Sequence, residues 1–315
     1  MKSVKPILGT MNFGPQVTVE DSLQMVSIFL SEGFDEIDTA YVYNSGDSEK
    51  FLGKALRNTN DSRSIIATKV NPRVSGKLDG QSIQRQLHES LFRLQRESVD
   101  ILYLHFPDPT TSLYETLECC SDLHKQGYFK ELGLSNYSAS EVLDIWDLCN
   151  ENGWLTPSVY QGLYNGLSRN VEPELIPVLR KLSMRFYAYN PLAGGILSGK
   201  YSSIDEITAG RFTYRPNYKD RYWKKEFFDA LNILNVACEN RGISLVEAAF
   251  RWMTNHSALD ATAGDGVLIG ASSSEQLKQN LKFFGKEKLE QDILDAFNLS
   301  WDISKAESPP YFRTV

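Results

Sequence analysis

The stretch Asp35-Glu36-Ile37-Asp38-Thr39-Ala40-Tyr41-Val42-Tyr43 decides the fold that we predict for this chain. A short apolar run there leads into an acid, and a tyrosine follows the acid five residues later. Two further apolar runs, Ile65–Val70 and Ile101–Phe106, carry a lysine and a histidine near their carboxyl ends. If the three runs are neighbouring strands of one parallel sheet, their carboxyl ends meet at one edge and four side chains converge there. The four are Asp38, Tyr43, Lys69 and His105.

Strand-like and helix-like segments alternate along the whole chain. We predict eight strands, which are Pro6–Met11, the start of Asp35–Tyr43, Ile65–Val70, Val99–His105, Phe129–Leu134, Ser158–Gln161, Arg185–Tyr189 and Val267–Gly270. Helical spacing of apolar residues predicts the helices 18–33, 48–57, 79–96, 112–125, 138–150, 172–181, 225–240, 245–255, 273–283 and 289–303.

Strands that alternate with helices pair in parallel, and eight such units close a barrel. A doubly wound sheet is the competitor, but no GxGxxG fingerprint follows an early strand. We therefore predict an α/β protein with a single (β/α)8 TIM barrel domain over residues 1–315. A long insertion, about residues 192–223, follows the seventh strand, and a C-terminal helix and tail close the chain.

Charge and composition restrict the partners that we expect. The formal net charge of −7 disfavours nucleic acid or an anionic membrane as the main partner. We see no secretory signal and no membrane-spanning stretch, and the four cysteines lack CxxC spacing, so we predict buried thiols in a cytoplasmic protein. Four scattered histidines predict no metal site.

The four converging side chains suit carbonyl reduction. A hydride that reaches a carbonyl carbon leaves negative charge on the oxygen, which then needs a nearby proton donor. A free tyrosine is a poor acid near neutrality, but a cationic Lys69 would lower the pKa of Tyr43, and Asp38 would orient the lysine. His105 would hold the substrate oxygen. Taken singly, Asp38 and Thr39 could instead cap a turn, and Tyr43 or His105 could simply pack.

Later strand ends predict a site for a cofactor. Ser135, Asn136 and Gln161 offer groups that can hold a planar carboxamide, although the first two could instead cap the helix at Ser138. The glycine-bearing loop 190–200 ends in a lysine and could cover a pyrophosphate, or could be an ordinary surface loop. Small residues and hydroxyls over 270–275 open a helix, which is a favourable place for an anion.

Together these motifs resemble the aldo-keto reductase superfamily over nearly the whole chain. The motifs are Asp-Thr-Ala-x-x-Tyr at 38–43, Lys69, His105, Gly-Leu-Ser-Asn at 133–136, Tyr-Asn-Pro-Leu at 189–192 and Gly-x-Ser-Ser at 270–273. The branch that the chain most resembles is that of the aflatoxin-aldehyde and succinic-semialdehyde reductases. That likeness rests on Asn-Pro-Leu-Ala-Gly-Gly-x-Leu-x-Gly-Lys at 190–200, Gly-Arg-Phe at 210–212, Tyr-Lys-Asp-Arg-Tyr-Trp-Lys at 218–224 and Tyr-Phe-Arg at 311–313.

The resemblance implies an NADPH-dependent reduction of aldehydes, including carboxylate-bearing or dicarbonyl ones, or of ketones, in a homodimer. It implies that Tyr43 is the general acid, tuned by Lys69 and Asp38, and that His105 orients the substrate. The implied cofactor residues are Asp38, Ser135, Asn136, Gln161, Asn190, Pro191, Leu192, Gly194, Gly195, Leu197, Gly199, Lys200, Arg211, Gly270, Ser272, Ser273, Gln276, Gln279 and Asn280. Tyr218, Arg221 and Arg313 would shape the substrate end, where two arginines suit a carboxylate.

The chain departs from the family pattern at two places. Gln276 stands about where many members carry an arginine for the 2′-phosphate, so a preference for NADPH would rest on Arg211 and the serines. Pro310 stands where asparagine usually precedes the terminal Tyr-Phe-Arg. Two alternatives stay open, namely a cofactor-binding regulatory subunit of the channel β-subunit type and a reductase for a neutral aldehyde such as pyridoxal.

Overall fold

Eight parallel strands form a closed barrel in the computed structural model, which describes residues 4–14, 16–59, 63–205, 211–214 and 216–313, without the side chains at 211, 214 and 216. Neighbours in the barrel follow chain order, and β1 pairs with β8 to close it. The strands are β1 (Lys5–Gly9), β2 (Glu36–Asp38), β3 (Ile65–Val70), β4 (Val99–Leu104), β5 (Phe129–Ser135), β6 (Val159–Leu163), β7 (Arg185–Tyr189) and β8 (Gly266–Ile269). The predicted (β/α)8 barrel is confirmed.

Helices surround the barrel in the described part of the chain. They are α1 (Val19–Ser31), α2 (Asp47–Thr59), α3 (Pro72–Ser75), α4 (Gly80–Leu94), α5 (Leu113–Lys125), α6 (Ala139–Glu151), α7 (Leu175–Lys181), α8 (Arg211–Tyr214), α9 (Pro216–Tyr222), α10 (Lys225–Asn240), α11 (Leu245–Asn255), α12 (Ser274–Leu281) and α13 (Gln291–Ser304). Short 3-10 segments lie at Tyr43–Gly46, Ala193–Ser198 and Lys305–Glu307. Every predicted helix has a counterpart, whereas α3, α8 and α9 were not predicted. No helix within the described ranges combines the length and apolar character that a bilayer crossing requires.

Side-chain caps explain where several helices begin. Thr18 accepts a hydrogen bond from the backbone N–H of Asp21, and Asp79 does the same for Ser82. Ser138 forms a capping box with Glu141 at the start of α6. Each cap satisfies a backbone N–H that has no partner inside the helix.

Apolar packing separates the inside of the barrel from its outer wall. A small cluster, Ile7, Ala67, Ile101, Tyr103, Val159, Tyr187 and Leu268, fills the interior. Large and small residues interlock there, since a Cβ added at Gly133 would lie 2.4 Å from Cδ1 of Tyr103. The much larger cluster between strands and helices forms the main core. The filled interior leaves the carboxyl ends of the strands as the place where loops can build a site.

The insertion and the tail both return to that carboxyl end. Tyr201, Phe212 and Trp223 pack edge to face with ring centroids 4.9–5.3 Å apart, which ties the insertion together. In the tail, the backbone N–H of Arg313 donates to the carbonyl oxygen of Asn136 at 2.9 Å. The Tyr311 hydroxyl donates to Glu174 at 2.7 Å. These contacts place Arg313 beside the loop that follows β5.

Candidate active site

Asp38 and Lys69 form a buried ion pair at the carboxyl ends of β2 and β3. The Lys69 ammonium lies 2.5 and 2.6 Å from the two oxygens of Asp38 and 2.7 Å from the carbonyl oxygen of Thr39. These three acceptors can satisfy the three N–H donors of an ammonium. Gln161 donates its amide to the same carboxylate at 2.8 Å, which connects β6 to the pair.

Burial opposes both charges of this pair. Desolvation raises the pKa of Asp38 and lowers the pKa of Lys69, and the attraction between the two groups offsets part of each shift. A buried ion pair of this kind is costly to break, because the remaining partner keeps its charge without a counterion. Removal of one partner is therefore expected to cost more stability here than at a surface ion pair.

The turn after β2 directs Tyr43 toward this pair. The backbone N–H of Tyr43 donates to Ala40 at 3.0 Å, and the next two residues, Asn44 and Ser45, have positive φ. The Asn44 amide stabilises this unusual backbone by donating to the carbonyl oxygens of Met11 at 2.8 Å and Phe13 at 2.6 Å. The Lys69 ammonium then lies 5.2 Å from the centre of the Tyr43 ring.

Tyr41 points elsewhere. Its hydroxyl donates to Glu89 at 2.6 Å, and the guanidinium of Arg93 lies 4.3 Å from its ring centre. Both partners belong to α4. The turn thus separates two tyrosines that are only two residues apart and brings Tyr43 to the other three predicted groups.

His105 completes the group of four and is held by Asn71. Arg73 donates its backbone N–H to Oδ1 of Asn71 at 2.9 Å, so the NH2 group of Asn71 faces Nδ1 of His105 at 3.2 Å. An NH2 group can only donate, so Nδ1 accepts and the imidazole proton lies on Nε2. The ring of His105 meets the ring of Tyr43 edge to face at 5.9 Å between centroids.

We expect His105 to stay neutral through the physiological pH range. Burial first, and then the positive charges of Lys69 and Arg73, lower the pKa of this imidazole well below its usual range. An unfolded chain would protonate the same group near pH 6.5, so below about that pH the unfolded state binds more protons and stability falls as pH falls. The loss approaches about 1.4 kcal/mol per pH unit.

This prediction can be checked with 15N-labelled histidine and with unfolding midpoints between pH 5 and 8. His105→Gln identifies the resonances of His105, which we expect to report an Nε2–H tautomer. The free energy of unfolding of the same variant is expected to depend less on pH below about 6.5, by the contribution of one proton. A His105 signal that titrates near pH 6.5 would contradict the placement.

A cavity of about 1140 Å³ opens above these residues. Predicted site residues on its wall are Asp38, Tyr43, His105, Ser135, Asn136, Gln161, Asn190, Pro191, Leu192, Gly194, Gly195, Lys200, Tyr218, Arg221, Gly270, Ser272, Gln276 and Arg313. Predicted residues that do not line it are Lys69, Leu197, Gly199, Ser273, Gln279 and Asn280. The side chain of Arg211 lies outside the described part of the chain. Pockets for one small ligand usually hold about 300–1,000 Å³, so this cavity has room for a cofactor together with a substrate.

Ser135, Asn136 and Tyr189 form a connected polar wall. Asn136 donates to the carbonyl oxygen of His105 at 2.9 Å and to Oγ of Ser135 at 3.0 Å, and it accepts from the Tyr189 hydroxyl at 2.9 Å. The cap of α6 is Ser138 itself, so the alternative that Ser135 and Asn136 serve as that cap is wrong. The hydroxyl of Ser135 and the amide of Gln161 face the same cavity.

The loops after β7 and β8 are shaped by close contacts. Gly194 has a φ of 69°, and a Cβ there would lie 2.7 Å from the Tyr222 ring and 2.9 Å from the Tyr218 ring. Glycine is therefore required for the backbone to approach these tyrosines. After β8, Gln276 accepts hydrogen bonds from the backbone N–H and the hydroxyl of Ser272 at 2.7 and 2.9 Å. Ser273 caps α12, so its side chain is already engaged in the helix.

Asn71 and Arg73 are site residues that the sequence reasoning missed. Both line the cavity, and both belong to the loop after β3. The rule that polar residues just beyond a strand end face the site would have included Asn71, which directly follows Val70. No feature of the sequence marks Arg73 as a site residue, because the direction of its side chain depends on the short helix α3, which begins with Pro72.

Comparisons of the whole sequence show which known proteins this chain is similar to. The sequence model described as Aldo/keto reductase family matches residues 6–299. Aflatoxin B1 aldehyde reductase member 2 of Rattus norvegicus is 44% identical over 319 residues, which cover 98% of this chain and 87% of that protein. Aldo-keto reductase family 7 member A3 of Homo sapiens is 44% identical over 319 residues, with 98% and 96% covered. Oxidoreductase sirO of Leptosphaeria maculans is 37% identical over 323 residues, with 97% and 96% covered.

Proposed function

Because this chain belongs to the aldo/keto reductase family, we propose that it uses NADPH to reduce aldehydes that carry a negatively charged group. One observation carries the proposal. Tyr43 and His105 lie on one cavity with a wall of amides and hydroxyls and with the two arginines Arg221 and Arg313. Tyr43 and His105 suit a reducible carbonyl, the amides and hydroxyls suit a planar carboxamide, and the two arginines suit an anion.

The residues present fit a dinucleotide. The cavity exceeds the volume that one small ligand needs, and Ser135, Asn136 and Gln161 offer donors and acceptors for a carboxamide. Buried Oγ of Ser198, a residue on the cavity wall, has no hydrogen-bond partner among the described residues, and a phosphate oxygen would supply an acceptor for it. Lys200 on the cavity wall suits a phosphate, whereas Arg211 stays a prediction from the sequence.

When bound, the cofactor supplies a hydride to the carbonyl carbon of the substrate. Tyr43 would give its hydroxyl proton to the carbonyl oxygen, so that hydride and proton together yield an alcohol. The Nε2–H of His105 would donate a hydrogen bond to the same oxygen and hold it near the tyrosine. Lys69, with its charge near the Tyr43 ring, would stabilise the phenolate that forms, and bulk water would return the proton.

Arg221 and Arg313 would select a charged substrate. Neither guanidinium lies within 4.0 Å of a carboxylate among the described residues, and both line the cavity. A substrate carboxylate would gain charge-assisted hydrogen bonds, each worth roughly 1.5–3 kcal/mol. The aldehyde would then be held at two points, its oxygen at Tyr43 and His105 and its carboxylate at the arginines.

The test is NADPH oxidation with succinic semialdehyde, benzaldehyde and pyridoxal. We expect succinic semialdehyde to have the highest kcat/KM, and Arg313→Gln to lower that value roughly tenfold to hundredfold. Equal rates for all three substrates, or equal losses in the variant, would overturn the charged-aldehyde proposal. Tight NADPH binding with no turnover of any aldehyde would instead favour a regulatory cofactor-binding protein.

A further inference from the structure

A third guanidinium, that of Arg73, lies at the mouth of the cavity beside Arg221 and Arg313. The three come from separate parts of the chain, since Arg73 lies in α3, Arg221 in α9 and Arg313 in the tail. No described carboxylate lies within 4.0 Å of any of the three, although the whole chain carries a formal net charge of −7. The cavity mouth therefore concentrates positive charge on an acidic protein.

Arg73 is held in place by its neighbours. Its backbone N–H donates to Asn71, the residue that also orients His105. Its guanidinium lies 4.0 Å from the centre of the Phe106 ring, a cation–π contact, and that ring stacks on His105 at 4.8 Å between centroids. Phe106 thus lies between Arg73 and the imidazole of His105, which would hold the substrate oxygen.

The three positive charges act on one another. Burial first, and then the charges of Arg313 and Arg221, lower the pKa of Arg73. Three like charges around one opening repel each other, and the attraction of an anion placed among them offsets that repulsion. A single carboxylate accommodates two guanidiniums in fork geometry but leaves the third charge without a partner.

The cofactor is a poor explanation for Arg73. The groups suited to phosphates come after β7 and β8, with Lys200 and Ser272 in the loops and Gln276 in α12. Arg73 follows β3, and β1 and β2 separate β3 from β8 in the barrel. Phe106 and His105, which Arg73 approaches, belong instead to the substrate end of the cavity.

We propose that Arg73 forms a second anion subsite, so that the preferred aldehydes of this protein carry two negative charges at a distance from the carbonyl group. The inference rests on the proposed function and extends it. The two charges can belong to two carboxylates, one at Arg221 and Arg313 and one at Arg73, or to one phosphate monoester shared by all three arginines. Both kinds of substrate present two negative charges to the guanidiniums, and kinetics with one aldehyde of each kind separate them.

The experiment compares four aromatic aldehydes that share one reacting group. They are benzaldehyde, 4-carboxybenzaldehyde, 5-formylbenzene-1,3-dicarboxylate and 4-formylphenyl phosphate. For the unmodified protein we expect kcat/KM to rise with each added charge, and the advantage of the dianions to shrink in 0.5 M NaCl. In Arg73→Gln we expect the ratio of kcat/KM for a dianion to kcat/KM for benzaldehyde to fall about tenfold and no more, because Arg73 is exposed to solvent and its charge is screened.

Arg57→Gln is the matched control. Arg57 is exposed in the last turn of α2, which leads to the amino end of β3 at the far side of the barrel. The same change of charge there is expected to leave the dianion ratio within twofold of the unmodified protein. NADPH binding, measured by its fluorescence, is expected to be equal in Arg73→Gln and Arg57→Gln.

Each outcome decides one question. A larger loss for the dicarboxylate than for the phosphate in Arg73→Gln assigns two separate subsites, and the reverse assigns one shared phosphate site. Equal dianion ratios in the Arg73 and Arg57 variants, or weaker NADPH binding in Arg73→Gln, would overturn the subsite. If the unmodified protein reduces none of the four aldehydes, the proposed function itself fails.

Discussion

Tyr43→Phe is expected to lower kcat/KM for aldehyde reduction by about 10²–10⁴-fold while NADPH binding changes less than twofold. The substitution removes one oxygen atom and leaves the ring, which contacts the His105 ring at 5.9 Å between centroids. Without that hydroxyl, negative charge that develops on the substrate oxygen has no proton donor at hand. His105 cannot replace the tyrosine as proton donor. Burial lowers the pKa of its imidazole, so the ring stays neutral, and a neutral imidazole N–H can hold the oxygen but is a very weak acid.

Tyr41→Phe is the control for this experiment. It removes the same atom two residues earlier, where the hydroxyl donates to Glu89 on α4. That variant is expected to lose about 0.5–1.5 kcal/mol of stability and to keep its turnover. Steady-state NADPH oxidation measures turnover, fluorescence titration measures NADPH binding, and denaturant midpoints measure stability. Turnover of Tyr43→Phe within tenfold of the unmodified protein would mean that another group supplies the proton.

Lys69→Met is expected to reduce both stability and turnover strongly. Methionine keeps a similar volume, but the buried carboxylate of Asp38 loses the ammonium that lies 2.5 Å away. Loss of one partner of a buried ion pair costs about 3–5 kcal/mol. We expect turnover to fall at least hundredfold, because no positive charge is then left to stabilise the Tyr43 phenolate.

The pH dependence of this loss has a definite sign. Burial already raises the pKa of Asp38, and without Lys69 that pKa lies still further above its value in the unfolded chain. The folded variant therefore holds a proton that the unfolded chain releases. Its stability relative to the unmodified protein is expected to decrease as pH rises through the folded-state pKa of Asp38. Denaturant midpoints between pH 5 and 9 measure the effect.

A double variant separates stability from catalysis. Asp38→Asn combined with Lys69→Met removes both charges, so most of the lost stability should return. Turnover should not return, because the phenolate still lacks its cation. If the double variant is no more stable than Lys69→Met, the two groups are not coupled as described. If it recovers turnover, the charge of Lys69 has no role in the reaction.

The sequence predicted the barrel well for a specific reason. Outside the insertion after β7, apolar runs and helical periodicity alternate along the chain, and this alternation is a local property that tertiary packing did not override. The parts that it missed, α3, α8 and α9, are short helices of four to seven residues. The four residues of α3 and of α8 make about one turn, too few for an apolar period to be recognised, and α9 contains no Val, Ile, Leu or Met.

The candidate site was predicted less completely. Residues directly beyond strand ends were found, because parallel strands in a barrel bring their carboxyl ends to one rim. The link from Gln161 to Asp38 joins residues 123 positions apart and has no local signature. The contact of Gln276 with Ser272 was likewise not predicted, although the two residues are close in the chain.

What the sequence by itself determined is the order of the elements and the identity of the residues that follow each strand. The tertiary structure decided which of those side chains face the cavity. Asn44 and Ser45, held with positive φ by contacts to the loop after β1, turn Tyr43 rather than Tyr41 inward. Asn71 donates to Nδ1 of His105 and so keeps the imidazole proton on Nε2. The short helix α3 brings Arg73 to Arg221 and Arg313. Side-chain direction in a loop depends on backbone angles that distant contacts stabilise, and no periodic pattern in the sequence records those contacts.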